Sequence, residues 1–440
     1  MIITKSYIKI VIILTFLFIL PSVYLASQEN EGTEVTCTSA GCHGGLVADS
    51  IVHEAASDDC ESCHESDGNN HPGDDGNEFS LSNDPPELCY DCHDEKNQKQ
   101  NIHPPVDDGE CLECHNPHSS ETPALLVETN LGDLCGTCHD VEKEENMLAH
   151  EPVKKMDCIS CHNPHQSDFS TLLKQNIPQL CFLCHTKEEE QESFSNVHPV
   201  FEDECLECHK PHFSSFPSLL TAEIPQLCFR CHDDIETSFT ENDNKHKPFE
   251  TGKCLSCHSP HATKNKALLV DGEAETCFLC HGYKNKWPDM HTDNIQARVS
   301  QSNYVHDPVA DGECTLCHLP HTSRFPFLLN SAFPEGSYTK DGVASFALCF
   351  DCHDQEMIEE PVTKNATEFR DDDKNLHYLH VNREKGRSCI NCHNIHGADF
   401  PHLINKKSKF GKWKMPIIYK VNENGATCLP GCHEEKTYQR

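Results

Sequence analysis

Residues 103–118 read HPPVDDGECLECHNPH, three histidines and two cysteines in sixteen positions. Zinc clips, disulfide staples and covalent haem attachment sites all use such residues, and counting along the chain separates them. Thirteen CxxCH motifs open at Cys60, Cys89, Cys111, Cys135, Cys158, Cys181, Cys205, Cys228, Cys254, Cys277, Cys314, Cys349 and Cys389. Their second cysteines are Cys63, Cys92, Cys114, Cys138, Cys161, Cys184, Cys208, Cys231, Cys257, Cys280, Cys317, Cys352 and Cys392. Two wider versions stand at the ends, Cys37 with Cys42 and Cys428 with Cys432, each again followed by histidine. The fifteen motifs use all thirty cysteines.

Zinc ribbons need paired CxxC units or a distant histidine pair, and disulfide scaffolds need no histidine at all. A histidine directly after the second cysteine every time is what haem attachment requires. The two thiols add to the porphyrin vinyl groups, and the next residue is thereby set under the iron. The count predicts fifteen haem c groups with proximal ligands His43, His64, His93, His115, His139, His162, His185, His209, His232, His258, His281, His318, His353, His393 and His433.

The motifs are also periodic. One kind is followed by proline and histidine, as in CLECHNPH, CISCHNPH, CLECHKPH, CLSCHSPH and CTLCHLPH. The other follows a leucine and usually precedes an acid, as in LCYDCHD, LCGTCHD, LCFRCHD and LCFDCHD. From Cys111 to Cys158 to Cys205 the step is 47 residues, and then 49 to Cys254. A fixed period means a stacked array in which each unit touches its neighbours, here with two haems per unit. Between the two kinds lies PALL, STLL, PSLL, KALL or PFLL, whose leucine pair is expected to pack against porphyrin faces. After Cys277 the period loosens through inserts at 282–305, 330–346, 354–379 and 403–427.

Seventeen histidines lie outside the attachment motifs. Seven come shortly before a first-kind site (His53, His103, His150, His198, His246, His306, His380) and seven shortly after (His71, His118, His165, His212, His261, His321, His396). Fifteen six-coordinate irons need fifteen further ligands, so these fourteen are expected distal ligands together with one of His291, His377 and His402. Methionine, present six times, recurs at no set offset. Bis-histidine ligation is thus expected, and histidine in place of methionine lowers the potential. His118 lies three residues after His115, and that stretch spans at most roughly 10 Å. It cannot round the porphyrin edge to the other face of the same iron, so His118, His165, His212, His261, His321 and His396 should ligate neighbouring haems. For His103 and its equivalents, seven to nine residues before their sites, the reach permits either their own haem or a neighbour.

Hydrophobic residues are 36% of the chain and aromatic residues 7%, so a large aliphatic core is not expected. A net charge of −36 disfavours nucleic acid and anionic lipid as partners. Residues 405–420, NKKSKFGKWKMPIIYK, hold six lysines and no acid and read as an exposed loop, the alternative being a docking patch for an acidic partner. Residues 1–27 have the order of a secretory signal peptide, with an uncleaved N-terminal membrane anchor as the alternative. Either way the bulk of the chain is expected to be exported.

The CxxCHxPH…LL…LCxxCH unit resembles the doubled-CxxCH module of multihaem c-type cytochromes. The likeness covers residues 89–353 well and the ends loosely: Ile395 replaces the proline after Cys389, and the Cys60 site has His71 in place of a Pro-His pair. The resemblance implies a mostly irregular fold with short α-helices wrapped around a chain of stacked haems, with few or no strands. It implies electron traffic in the cell envelope, periplasmic or outer-membrane-associated or extracellular. The expected partners are a quinol-linked donor and an outer-membrane or extracellular acceptor, with an outer-membrane porin as a further one. The expected organisation is a haem region at 28–100, regular tandem repeats at 101–285 and an insert-rich haem region at 286–440. An electron conduit without a catalytic residue is the leading reading. A reductase with one open iron, or the subunit of an extracellular cytochrome filament, are its rivals.

Overall fold

The computed structural model describes residues 36–39, 41–69, 71, 79–140, 146–283, 293–339 and 342–440. The leader or anchor expected at 1–27, and His291, lie outside the described residues. The chain divides into two compact units, one of residues 1–93 and 110–129 and the other of 94–109 and 130–440.

Regular structure is short throughout the described residues. The longest described helices, Asp233–Glu241 and Glu273–His281, have nine residues each. Prolines and the attachment motifs themselves interrupt anything longer. Eleven of the thirteen CxxCH motifs close on themselves in the same way: the histidine N–H donates to the carbonyl of the first cysteine at 2.9–3.1 Å in His93, His115, His139, His162, His185, His209, His232, His258, His318, His353 and His393. First-kind motifs begin 3-10 turns such as Cys111–Glu113 and Cys158–Ser160, whereas second-kind motifs end short helices such as Leu131–Gly136 and Gln179–Phe182. At the wide first site the bond runs from His43 to Cys37, two residues further back than in CxxCH.

Five two-residue antiparallel staples recur. Ile51–Val52 pairs with Ser119–Ser120, Asn101–Ile102 with Gln166–Ser167, and Leu148–Ala149 with Phe213–Ser214. Asn196–Val197 pairs with Ala262–Thr263, and Asn244–Lys245 with Thr322–Ser323. Each staple ends on two histidines. The N–H groups of His53, His103, His150, His198 and His246 donate to the carbonyls of His118, His165, His212, His261 and His321 at 2.8–2.9 Å.

The leucine pairs have a backbone role beyond the packing expected of them. The residue before the pair and its first leucine both hold positive φ: Ala124 and Leu125, Thr171 and Leu172, Ser218 and Leu219, Ala267 and Leu268, Phe327 and Leu328, His402 and Leu403, all between 52° and 61°. Two successive left-handed residues turn two carbonyls back onto the attachment motif. The first leucine's carbonyl accepts from the residue after the motif histidine, as in Asn163 N–H to Leu172 at 2.7 Å and Leu319 N–H to Leu328 at 2.7 Å. A buried hydroxyl two residues after the staple histidine closes the other side. Ser120 and Ser214 donate to the carbonyls of Leu126 and Leu220 at 2.5 Å, and Ser167 and Ser323 do the same to Leu173 and Leu329.

Among the described residues only the C-terminal region builds larger β-structure, and residues 405–420 hold a hairpin and the start of a further strand rather than the expected loop. Lys407–Phe410 pairs with Trp413–Pro416, and Ile418–Asn422, Gly425–Leu429 and Lys436–Gln439 form a three-stranded meander. The alternation Lys-Ser-Lys around a Gly-Lys turn explains it: Ser408 and Ile417 are buried while Lys407 and Lys409 face solvent. The described apolar cores are small, Phe346 with Ile358 and Val381, and Tyr419 with Ala426 and Tyr438. Aliphatic packing of that extent cannot by itself order a chain of this length. Among the described residues no helix is long and apolar enough to cross a membrane.

Candidate haem centres

Fourteen of the motif histidines stand opposite second imidazoles. His43 faces His71, His64 faces His118 and His93 faces His53, with ring centres 5.7, 6.2 and 6.0 Å apart. In the other unit His139 faces His103, His162 faces His212, His185 faces His150, His209 faces His261, and His232 faces His198, at 5.9–6.1 Å. His258 faces His321, His281 faces His246, His318 faces His396, His353 faces His306, His393 faces His377, and His433 faces His380, at 6.0–6.4 Å.

That spacing has a chemical meaning. Two imidazole–metal bonds of about 2 Å separate the coordinating nitrogens by about 4 Å and the ring centres by about 6 Å. At the first site the two Nε2 atoms themselves are 3.5 Å apart. Among the described residues no three or more histidine, cysteine or acidic side chains gather into a metal-holding cluster. Two opposed imidazoles do not satisfy tetrahedral zinc, but they are what an iron already held in a porphyrin plane needs. With two cysteines beside each pair, the residues fit haem c.

Hydrogen bonds set the tautomer. In first-kind sites the Nδ1–H of His115, His162, His209, His258, His318 and His393 donates to the carbonyl of Ala124, Thr171, Ser218, Ala267, Phe327 and His402, at 2.8–2.9 Å. Those acceptors are the first residues of the left-handed pairs. In second-kind sites the staple histidine is anchored instead: His53, His150 and His246 donate from Nδ1 to the carbonyls of Pro117, Pro211 and Pro320 at 2.8–3.0 Å. The proline of CxxCHxPH is thus an acceptor for the flanking histidine of another repeat. A carbonyl can only accept, so each of these rings carries its proton on Nδ1 and turns the lone pair of Nε2 toward its opposite number.

Burial favours the neutral form, the form in which imidazole binds metal, in ten of the opposed rings. It pushes His118, His198, His212, His246, His261, His306, His321 and His380 below the ordinary imidazole range, His396 to about 4 and His377 to about 3. Consecutive motifs also touch through their first cysteines: Cys37 with Cys60, Cys89 with Cys111, Cys181 with Cys205, Cys228 with Cys254, Cys277 with Cys314, and Cys349 with Cys389 are hydrogen-bonded thiol pairs. The bonds from Cys181 and Cys228 hold Cys205 and Cys254 down to about 7, nearer the reactive thiolate.

Of the three histidines among which the fifteenth partner was sought, His377 is the one placed, with its Nδ1 bonded to Thr367 Oγ1 at 2.8 Å. His402 has an exposed ring and contributes its carbonyl to His393. His103, which the sequence left between two haems, stands against the second-kind His139. The staple hydroxyls Ser120, Ser167, Ser214 and Ser323 and the left-handed acceptors escaped the sequence reading. Only the recurring Ser or Thr two residues after each histidine could have signalled the former.

A family model described as the doubled CXXCH motif matches residues 53–98, 103–144, 150–190, 198–237, 246–286 and 306–358. No curated protein matches the chain.

Proposed function

The chain belongs to the doubled CXXCH motif family, that of the multihaem c-type cytochromes, and from that premise we propose that it is a fifteen-haem electron conduit with both axial positions of every iron closed by histidine. The observation that carries this reading is the pairing of motif histidines with second imidazoles at about the spacing of two metal–nitrogen bonds. Bound haem supplies a one-electron redox change at iron. The chain's own residues do the rest: thioether cysteines fix each group, the Nδ1–carbonyl bonds orient the ligand nitrogens, and opposed imidazoles shut out substrate. Closed coordination suits a relay, because the metal geometry need not change on reduction. The touching cysteines of consecutive motifs keep successive attachment points adjacent. On this reading the protein is exported to the periplasm or the outer surface, takes electrons from a quinol-linked donor and passes them to an outer-membrane or extracellular acceptor. A porin is the partner that would carry it across the outer membrane.

Intact mass with a pyridine haemochrome titration tests the count, expected at fifteen. Ferric EPR and cyanide or nitrite addition test the coordination. Low-spin signals alone, with no ligand-induced Soret shift, are expected. A high-spin ferric signal that binds nitrite would replace the conduit by a reductase with one open iron.

A further inference from the structure

The lysine-rich C-terminal hairpin serves no haem pair. Its register sets Lys407 opposite Pro416 and Lys409 directly opposite Lys414, so these three lysines share one outward face. Lys412 occupies the turn, Lys420 follows on the next strand, and all five are exposed. The sixth lysine, Lys406, is taken by Asp399 at 2.6 Å. Trp413, at the hairpin tip, is 71% exposed. Like charges placed directly across a strand pair oppose pairing, and here they stand on a chain whose net charge is −36. An anionic surface laid on this face would relieve that repulsion.

The same chain carries such a surface. Residues 28–95 contain eighteen acids and no lysine or arginine, with Glu54, Glu61, Glu65, Asp67, Asp84 and Glu87 exposed. We infer that the lysine hairpin of one molecule docks on the acidic N-terminal region of a second copy. Anionic lipid is the poorer occupant, because a chain of charge −36 is repelled by an extended anionic plane. Between two copies the overall repulsion is screened beyond about 8 Å at physiological salt, while contacting pairs are not.

The contact uses different surfaces on its two sides, so it is head-to-tail and propagates unless it closes into a ring. It also joins attachment sites. The hairpin packs on the last motif, since a methyl group at Gly431 would stand 3.2 Å from Met415 Cβ. The acidic region contains the first motif, whose Cys37, Cys42 and His43 are exposed. Docking therefore brings the last motif of one copy toward the first motif of the next.

Sedimentation velocity of the full-length holoprotein tests this independently of the haem count, because it reads mass. At about 0.15 M salt, oligomers that grow with protein concentration are expected, dissociating at about 1 M, where screening acts within about 3 Å. The variant K407E/K409E/K414E should be monomeric alone, with K407Q/K409Q/K414Q intermediate. An unchanged visible spectrum in both serves as the folding control, since all three side chains are exposed. Mixed with wild type, the charge-reversed variant still presents its acidic region and should cap growing chains, shortening them. A monomeric wild type, association unaffected by charge reversal, or a variant that fails to cap would each overturn the inference.

Discussion

His150 and His212 are joined backbone to backbone by a 2.9 Å hydrogen bond yet face different motifs, His150 toward His185 and His212 toward His162. Replacing His212 with glycine should therefore open a single iron, the one above His162, and leave its proximal side intact, because His162 stays anchored to the Thr171 carbonyl at 2.9 Å. One iron among fifteen motifs is 1/15, about 7% of the haem. His150→Gly should open another 1/15, and it also loses the Nδ1 bond to the Pro211 carbonyl at 3.0 Å, a cost of about 1 kcal/mol. The double variant should reach 2/15, about 13%. Quantified ferric EPR reads these fractions as high-spin signal, and added imidazole should return each variant to low spin by refilling the space left by the side chain. The reasoning is refuted if His212→Gly produces no high-spin iron, or if the double variant yields only 1/15, which would mean that both histidines serve one centre.

Ala267 is exposed with φ 53°, so Ala267→Val changes backbone preference and little else. It should destabilise the holoprotein by about 1–3 kcal/mol, whereas Ala267→Gly should stabilise it by up to about 1 kcal/mol. Equal guanidinium midpoints for the two variants would sink the account of the left-handed pairs. Lowered histidine pKa values mean that the unfolded chain binds protons the folded chain refuses. The stability they contribute is fully present above pH 6.5 and is lost as pH falls toward about 4 for His396 and about 3 for His377. Denaturant midpoints should drop steadily over that interval, and a rise on acidification would contradict the burial. In the meander, a methyl group at Gly425 would lie 2.0 Å from the Tyr438 carbonyl oxygen, so Gly425→Ala must push the paired strands away from each other. Tryptic cleavage after Lys436 should accelerate about tenfold for each 1.4 kcal/mol lost, and an unchanged rate would mean the strands had room.

The attachment residues were legible because covalent chemistry imposes their spacing, and the repeat was legible because stacking imposes a period. Chain reach alone argued against a pairing of His118 with His115, and the structure sets the His118 ring opposite another motif histidine. Reach could not say that the ring opposite would be His64, because that choice is made by the register of Ile51–Val52 on Ser119–Ser120. His103 was open for the same reason, its position being decided by the bond from its N–H to the His165 carbonyl at 2.9 Å. The left-handed pairs were marked only by their recurring leucine, which reads as packing, since the residues before it, Ala124, Thr171, Ser218, Ala267, Phe327 and His402, share no chemistry and none is glycine or asparagine. What holds them is three-dimensional: two carbonyls find donors on the attachment motif, and the hydroxyls of residues such as Ser214 fasten the turn from behind.

Each staple binds together ligands of separate repeats, so the array should tolerate loss of a whole period better than loss of half of one. Residues 158–204 comprise one full 47-residue step and carry two motifs, at Cys158 and Cys181, with the two flanking histidines His165 and His198. Deleting them puts Cys205 where Cys158 stood. His150 then precedes a first-kind site at the same distance, eight residues as before, and His212 follows it as His165 had done. Nearest-neighbour packing is thus re-formed at the junction, as in other repeat proteins. Thirteen haems by mass and no high-spin iron are expected. Deleting residues 158–180 instead removes one motif and His165 while leaving second-kind Cys181 directly behind His150. Histidines and motifs remain equal in number, but the carbonyl that accepts from His103 and the motif histidine opposite His212 are both gone. High-spin iron should appear in this half-period variant alone. If both deletions stay low-spin, ligand choice follows local supply rather than staple register, and the pairing rule drawn from the structure fails.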